Sequence, residues 1–573
     1  MERTIISLIE QAIYALYELE HVVFAVEQPK EITHGDYSTN IALVISKQLG
    51  KNPKEIAGSI VEYLQQQNTA AIENISIAGA GFINFTLTKE YFAEQLKVML
   101  VQQEQWGSNH SNKGKTILVE HSSPNLFKAF HIGHVMNNAI GESISRLAIF
   151  SGADVKNISY PSDISLGIAK AVWILMQDGG MEKLKTLSAP SEIIEYLGDC
   201  YVRGTRAYDD TPEIQADIRL IADNMYKEEK NTPEYKVYED AKALNMAYFK
   251  TITATLGSTF DDFIYESEAG EIGKNIVLDN IGRVYTESDG AVIYEGEQDG
   301  LHTRVFINKE GNPTYEAKDT GLMELKFDRY QPDISLFITD HQQTEYFKVV
   351  ATAASKISPQ WKDRVNKTIH RTHGRMSFKG QKMSSRLGGV PSAQALLDAI
   401  YEELNDRAPD LAKDTDGLAN RHIAVGALKF VILRTAPGKD INFDPETSLS
   451  FEGDSGPYLQ YSTVRARSII DKAAQTVIEF PDAVPKEWQT TTVEKILIHF
   501  PEVVEHAIQE WSPHFIVTYL LELSQAFNSW YGNTKILVDG DDSSPYKVEI
   551  TKAFAQTMTN GLYLLGISVP EKM

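Results

Sequence analysis

The spacing of apolar residues changes several times along the chain, and each change marks a new kind of element. In residues 1–24 they recur at Ile5, Ile6, Leu8, Ile9, Ile13 and Leu16, one face of a helix. HGDYSTNIALVISKQLGKNPKEIAGSIVEYLQQ predicts a turn and two further helices, the second opening at Asn52-Pro53 with proline in the first turn. ISIAGAGFINFTLTKEYF alternates like two short strands around Gly79 and Gly81, so a small α/β unit ends near 105, before the polar stretch EQWGSNHSNKGK. From Lys115 to Glu120 the chain is a short β-branched run, the pattern of a buried strand. The turn cluster HSSPN follows, where Pro124 biases Ser123 away from helical angles, and then HIGH leads into the helical spacing of VMNNAIGESISRLAIF.

The strand–loop–helix at 115–150 predicts a nucleotide-type fold, continued by a second strand near 154–159. Residues 180–265 are helical in spacing and highly charged, without a strand pattern. Hairpin signals return at Ser288-Asp289-Gly290 and Glu310-Gly311-Asn312. DISLFITD then predicts another buried strand, with Asp340 at its end. After Pro391 the spacing predicts helices to the end, in the manner of an antiparallel bundle.

Composition narrows the class. A chain of 573 residues with 42% hydrophobic content needs several cores. No apolar run reaches the roughly 18 residues a membrane span requires, and the acidic N-terminal helix is unlike a signal or transit peptide, which predicts a cytoplasmic protein with no membrane partner. The single Cys200 excludes an internal disulfide and a multi-cysteine zinc ribbon, and no resident metal site is expected. A net charge of −23 argues against general nucleic-acid affinity, yet basic residues concentrate at 362–382 and in the RAR of 465–467, leaving local patches attractive to RNA.

Two stretches carry candidate chemistry. His131 and His134, three apart at a helix start with Gly133 between them, suit a polyphosphate and an adenine ring, because a helix start offers free N–H groups and a positive dipole end. A helix start bearing two histidines by coincidence is the alternative. MSFKGQKMSSRLGGVPS places Lys379, Lys382 and Arg386 in a glycine-rich loop, suited to closing cations over a triphosphate or, alternatively, to a solvated basic turn. Phe82 and Asn84, two apart on one strand, share a face on which one stacks on a base and the other reads its edge; a core phenylalanine and a turn cap fit equally.

HIGH and KMSSR, in this order and about 250 residues apart, resemble the paired signatures of class I aminoacyl-tRNA synthetases. VEHSSPN, TYEAKD at 314–319, FEGDSGPYLQYSTVRARSI at 451–469, ELSQAFNSWY at 522–531 and the terminal NGLYLLGISVPEKM narrow the resemblance to arginyl-tRNA synthetases. It runs from about residue 30 to the last residue.

The resemblance implies a Rossmann-type catalytic domain at 111–395 with a helical insertion at about 180–265. A small N-terminal α/β domain at 1–110 would grip tRNA near its D-loop, and an all-α anticodon-binding bundle would occupy 396–573. It implies ATP, carried with Mg2+, at His131, Gly133, His134, Lys382, Met383 and Ser384. Arginine is expected at Glu120, Ser122, Asn125, Asp163, Tyr315, Asp319 and Gln343, and tRNA(Arg) at Phe82, Asn84, Tyr458, Gln460, Tyr461 and Arg465, with binding of tRNA before arginine activation. A guanidinium, with five donors in a planar fork, is best met by carboxylates and amide oxygens, which suits this residue set.

Two departures stand out. The family's His-Gly-Asp-Trp-Gly loop is here reduced to Asp163 and its neighbours, and Ser385 replaces the second lysine of the KMSKS loop, so that Lys379 is expected to supply its charge. A monomeric arginine–tRNA ligase is expected. A catalytically impaired tRNA-binding paralogue and another class I synthetase remain the alternatives.

Overall fold

The structure, a computed structural model, describes residues 1–29, 34–67, 69–177, 179–379, 391–407, 417–475 and 484–573. The chain forms two compact units, one from residues 1–107, 461–506 and 518–561, the other from 108–460, 507–517 and 562–573.

In the first unit, helix Glu2–Tyr17 buries Ile5, Ile9, Ala12 and Ile13, the stripe its spacing predicts. Strands β1 (Val26–Glu27), β2 (Tyr37–Thr39), β3 (Ile72–Ala78) and β4 (Phe82–Leu87) form an antiparallel sheet in the order β1-β2-β4-β3. Helix Pro53–Gln66 starts where its sequence signals place it, with the Asn52 side chain accepting from the Lys54 N–H. In the helical part of this unit, Phe527 and Phe554 stack with centroids 3.8 Å apart.

The second unit is built on a parallel sheet of β5 (Thr116–Glu120), β6 (Asp154–Ser159), β7 (Asp262–Phe263), β11 (Ile334–Asp340) and β12 (Thr368–His373), in the order β12-β11-β5-β6-β7. Both faces are covered. Ile117 and Val119 face one cluster with Ile144, Ala148, Leu336 and Ile338, while Leu118 faces another with Ile158, Tyr160, Ile264 and Leu322. That is why β5 reads as an unbroken apolar run rather than an alternation. The first strand, β5, lies centrally, and the chain order reverses between β5 and β11. In such sheets a ligand lies at the carboxyl ends of the strands flanking that reversal.

β8 (Thr286–Ser288), β9 (Ala291–Tyr294) and β10 (Arg304–Ile307) make a separate three-stranded antiparallel sheet. Its first turn has Asp289 and Gly290 both at positive φ, the pair a two-residue hairpin of this hand requires. Several strands escape the sequence pattern, the six-residue β12 among them, and two of the shortest show why. β7 lies within the charged stretch expected to lack strands, and β14 (Ile441–Phe443), paired in parallel with β13 (Met376–Phe378), interrupts the expected run of helices. Two or three residues carry no period to read. Helices Pro190–Tyr208, Pro212–Tyr226 and Pro233–Thr255 fill most of the insertion. Among the described residues, no helix is long and apolar enough to cross a membrane.

Candidate active site

Beyond β5 the chain turns through 121–131 into helix Ile132–Phe150, with His131 as its N-cap. The His131 Nδ1 accepts from the Gly133 N–H at 3.1 Å, and the His134 Nδ1 accepts from the His131 N–H at 3.2 Å, closing a capping box made of two imidazoles. Their rings stack with centroids 3.8 Å apart. The Ile132 N–H bonds to the Pro391 carbonyl, and the His134 N–H to that of His131. These first N–H groups are therefore taken. The expectation that a phosphate settles on a bare helix start is corrected: the donors this turn offers are imidazoles.

Burial lowers both histidine pKa values, with Lys128 adding to the effect on His131 and His131 to that on His134. Both rings are thus neutral near pH 7. With Nδ1 accepting, the network assigns the proton to Nε2 in each, so they act as hydrogen-bond donors rather than as cations. A Cβ at Gly133 would lie 3.0 Å from the His131 Cε1, so glycine here makes room for the imidazole itself.

Of the cationic loop, Lys382, Met383, Ser384, Ser385 and Arg386 lie outside the described residues. The chain on either side is placed. Lys379 directly follows β13; its N–H bonds to the Phe443 carbonyl and its ammonium lies 2.9 Å from Asp444. On the far side, Ile132 and Ala393 exchange main-chain hydrogen bonds with Pro391 and Phe130, fastening residues 391–393 to the entrance of the HIGH helix.

At the carboxyl end of the sheet lies a cluster of carboxylates. Glu120, the last residue of β5, is buried and ion-paired with Lys326. Glu266 is paired with Lys318 at 2.7 Å. Asp163 is wholly buried and accepts from Lys242 at 2.7 Å, the Tyr238 hydroxyl at 3.1 Å, and both the N–H and hydroxyl of Ser267. Asp319 differs. It accepts from the Tyr346 hydroxyl, but among the described residues no cation lies within ion-pair distance. Burial raises its pKa to about 8, with Glu120 and Glu266 pushing the same way against the Tyr346 hydrogen bond and Lys326.

Tyr315 and Asp319 share helix Tyr315–Tyr330, one turn apart, as their spacing predicts. Tyr315, Asn125 and Gln343 are exposed. Ser122 is not: it is fully buried, at a φ of 59°, and its hydroxyl meets the Asn138 amide and the His121 Nδ1.

Three family models tile the chain: "Arginyl tRNA synthetase N terminal domain" over residues 3–87, "tRNA synthetases class I (R), catalytic domain" over 95–444, and "DALR anticodon binding domain" over 459–573. The arginine–tRNA ligase of Pediococcus pentosaceus is 30% identical over 562 residues, covering 96% of this chain and 95% of that one.

The chain belongs to the arginyl-tRNA synthetase family.

The arginine–tRNA ligase of Clostridium perfringens is 28% identical, with 97% of both chains covered. Among solved structures, the Thermus thermophilus arginyl-tRNA synthetase shares the fold over 100% of both chains, with a TM-score of 0.81 at 23% identity. Of the readings the sequence leaves open, these findings support the arginine enzyme and neither alternative.

The residues expected to meet tRNA are placed unequally. Phe82 is exposed, whereas Asn84 is buried and accepts from the Ser38 hydroxyl at 2.7 Å. Gln460 is wholly buried, its amide donating to the His422 and Ser568 carbonyls. Tyr458 is partly buried on the same helix. Arg465 donates to the Asn528 amide oxygen and the Tyr461 hydroxyl, both at 2.9 Å, and lies against the rings of Tyr461 and Tyr531.

Sequence reasoning missed the partners of the carboxylates, Lys326, Lys318 and Lys242. A lysine on a charged helix gives no sign of whether it is buried. The one available signal was Lys326 itself, seven residues after Asp319 and so on the same helix face.

Proposed function

We propose a division of labour for a chain whose activity is the ATP-dependent ligation of arginine to tRNA. The guanidinium enters beside Asp319, a partly buried carboxylate with no cation of its own among the described residues, and this is the observation that carries the assignment. Glu120, held by Lys326, borders the same space, and Tyr315 closes it with an aromatic face. Asn125 and Gln343, exposed in the turns that follow β5 and β11, take the α-amino and carboxylate end. Ser122 and Asp163 stand behind the pocket and hold its walls.

ATP, accompanied by Mg2+, lies across the reversal of strand order, with its phosphates toward His131 and His134. One carboxylate oxygen of arginine attacks the α-phosphorus, the bond to the bridging oxygen breaks, and pyrophosphate leaves with the electron pair. The two neutral imidazoles donate Nε2–H to oxygens on which charge grows. Lys382 and Arg386 add positive charge from their loop, and Lys379 exchanges Asp444 for the departing pyrophosphate. No protein nucleophile is required, so the rate comes from placement and charge stabilisation. A hydroxyl of the terminal ribose of tRNA(Arg) then attacks the arginyl carbonyl and AMP departs.

Residues 1–110 hold the tRNA near its D-loop, with Phe82 as a stacking surface. Residues 111–395 carry the chemistry, and 396–573 read the anticodon through Arg465, Tyr461 and Tyr458. The enzyme acts as a cytoplasmic monomer. Pyrophosphate exchange with each of the twenty amino acids, with and without tRNA, tests the assignment: exchange confined to arginine and dependent on tRNA supports it, and exchange with any other amino acid in preference to arginine overturns it.

A further inference from the structure

Tyr160 follows β6, whose Ile158 pairs in register with Glu120. Its ring packs among Leu118, Ile264 and Leu322 under helix Tyr315–Tyr330, with Leu322 three residues beyond Asp319 on that helix. The residue is 8% exposed, and its hydroxyl is buried with no hydrogen-bond partner among the described residues. Buried phenols almost always find a partner, because leaving the O–H dry forfeits its bonds to water. The surroundings are far from apolar. Besides burial, the carboxylates of Glu266, Asp319, Glu120 and Asp163 all push the Tyr160 pKa upward, so the hydroxyl stays protonated beside them. The Tyr346 phenol, which bonds Asp319, is in turn raised by Tyr160.

We propose that the Tyr160 hydroxyl is a binding group for arginine, its unpartnered oxygen accepting one N–H of the substrate guanidinium. A guanidinium has five donors and no acceptor. A carboxylate satisfies two of these along one edge, leaving N–H groups directed elsewhere that need a neutral acceptor. A phenol oxygen accepts such an N–H without adding a further negative charge to the cluster. The inference rests on the assignment of arginine to the Asp319 pocket.

The test compares Tyr160→Phe with Asp319→Asn in the full-length enzyme with tRNA, measuring Michaelis constants for arginine and ATP by pyrophosphate exchange, and thermal unfolding without substrates. Tyr160→Phe keeps the packed ring and removes only the unpartnered hydroxyl. The expected result is an arginine KM raised about tenfold, equivalent to about 1.4 kcal/mol, an ATP KM within about twofold, and a melting temperature unchanged or higher. An arginine KM unchanged in Tyr160→Phe but raised in Asp319→Asn overturns the role of Tyr160 alone. No change in either variant overturns the pocket itself. A lowered melting temperature with both Michaelis constants raised makes the hydroxyl structural and also defeats the proposal.

Discussion

Two carboxylates, one in each unit, Glu494 buried and Asp319 partly buried, meet opposite treatment. Glu494, in the unit that contains the N-terminal sheet, is 1% exposed and surrounded by donors: the N–H and hydroxyl of Thr491 at 2.7 and 2.9 Å, the Trp488 indole at 3.1 Å and the Tyr546 hydroxyl at 2.8 Å. Burial still raises its pKa, but each of these bonds works against that shift. Asp319 has one phenol, no ion-paired cation among the described residues, and two other carboxylates raising its pKa. A residue that serves the fold is completed by the fold. One left short of counter-charge in the middle of its unit, beside three carboxylates each given a lysine, waits for charge from outside. The same contrast separates Asp163, with its four donors, from Asp319.

The largest effect expected from this contrast is on arginine binding. Asp319→Asn removes a charge-assisted pair worth about 1.5–3 kcal/mol, so the arginine KM rises roughly ten- to a hundredfold while the ATP KM and the melting temperature hold; steady-state pyrophosphate exchange and thermal unfolding check both. The mirror experiment is Glu494→Gln. It sets an amide NH2 against donors that all point inward and costs about 1–3 kcal/mol of stability, measured by denaturant unfolding, with no change in the arginine KM. If Glu494→Gln instead weakens arginine binding at unchanged stability, the contrast is broken.

A smaller effect follows pH. The Asp319 pKa is raised, so the proton is bound below about 8 in the empty site, and its presence opposes the guanidinium. The arginine KM therefore falls by about tenfold as pH rises from about 7 to about 9, and the slope flattens in Asp319→Asn. Folding responds in the opposite direction: protonated Asp319 favours the substrate-free fold at low pH, and that support is lost as pH rises from the ordinary carboxylate range through about 8. The smallest effect belongs to Lys379→Ala. Its pair with Asp444 is exposed, and the melting temperature stays put even where single-turnover adenylate formation slows.

How much of this was legible in the sequence depended on period and length. The unbroken run 116–120, the Asn52-Pro53 helix start and the Asp289-Gly290 turn each carry a local signal strong enough to fix the element. β7 and β14 do not, being shorter than any period and formed by a neighbour's edge rather than by their own residues. The site was legible in the same uneven way. HIGH and Tyr315 with Asp319 are local patterns; their chemistry is not. That His131 and His134 cap their own helix through Nδ1, and are neutral donors for that reason, depends on ring orientations no spacing encodes. That Gln460 and Ser122 face inward depends on packing against residues far along the chain. Asp319 lacking a lysine while Glu120 has one could be learned only by seeing which lysines are buried.

The central claim is that the cation missing from Asp319 is the guanidinium of arginine, and proton release tests it most directly. Arginine is titrated calorimetrically into the tRNA-bound enzyme at pH 7 in buffers of different ionisation enthalpy, for the native chain and for Asp319→Asn. With a pKa of about 8 in the empty site, binding should expel between about half a proton and one proton per arginine, and the release should vanish in Asp319→Asn. Arginine bound without proton release by the native enzyme, or with equal release by the variant, would contradict the account.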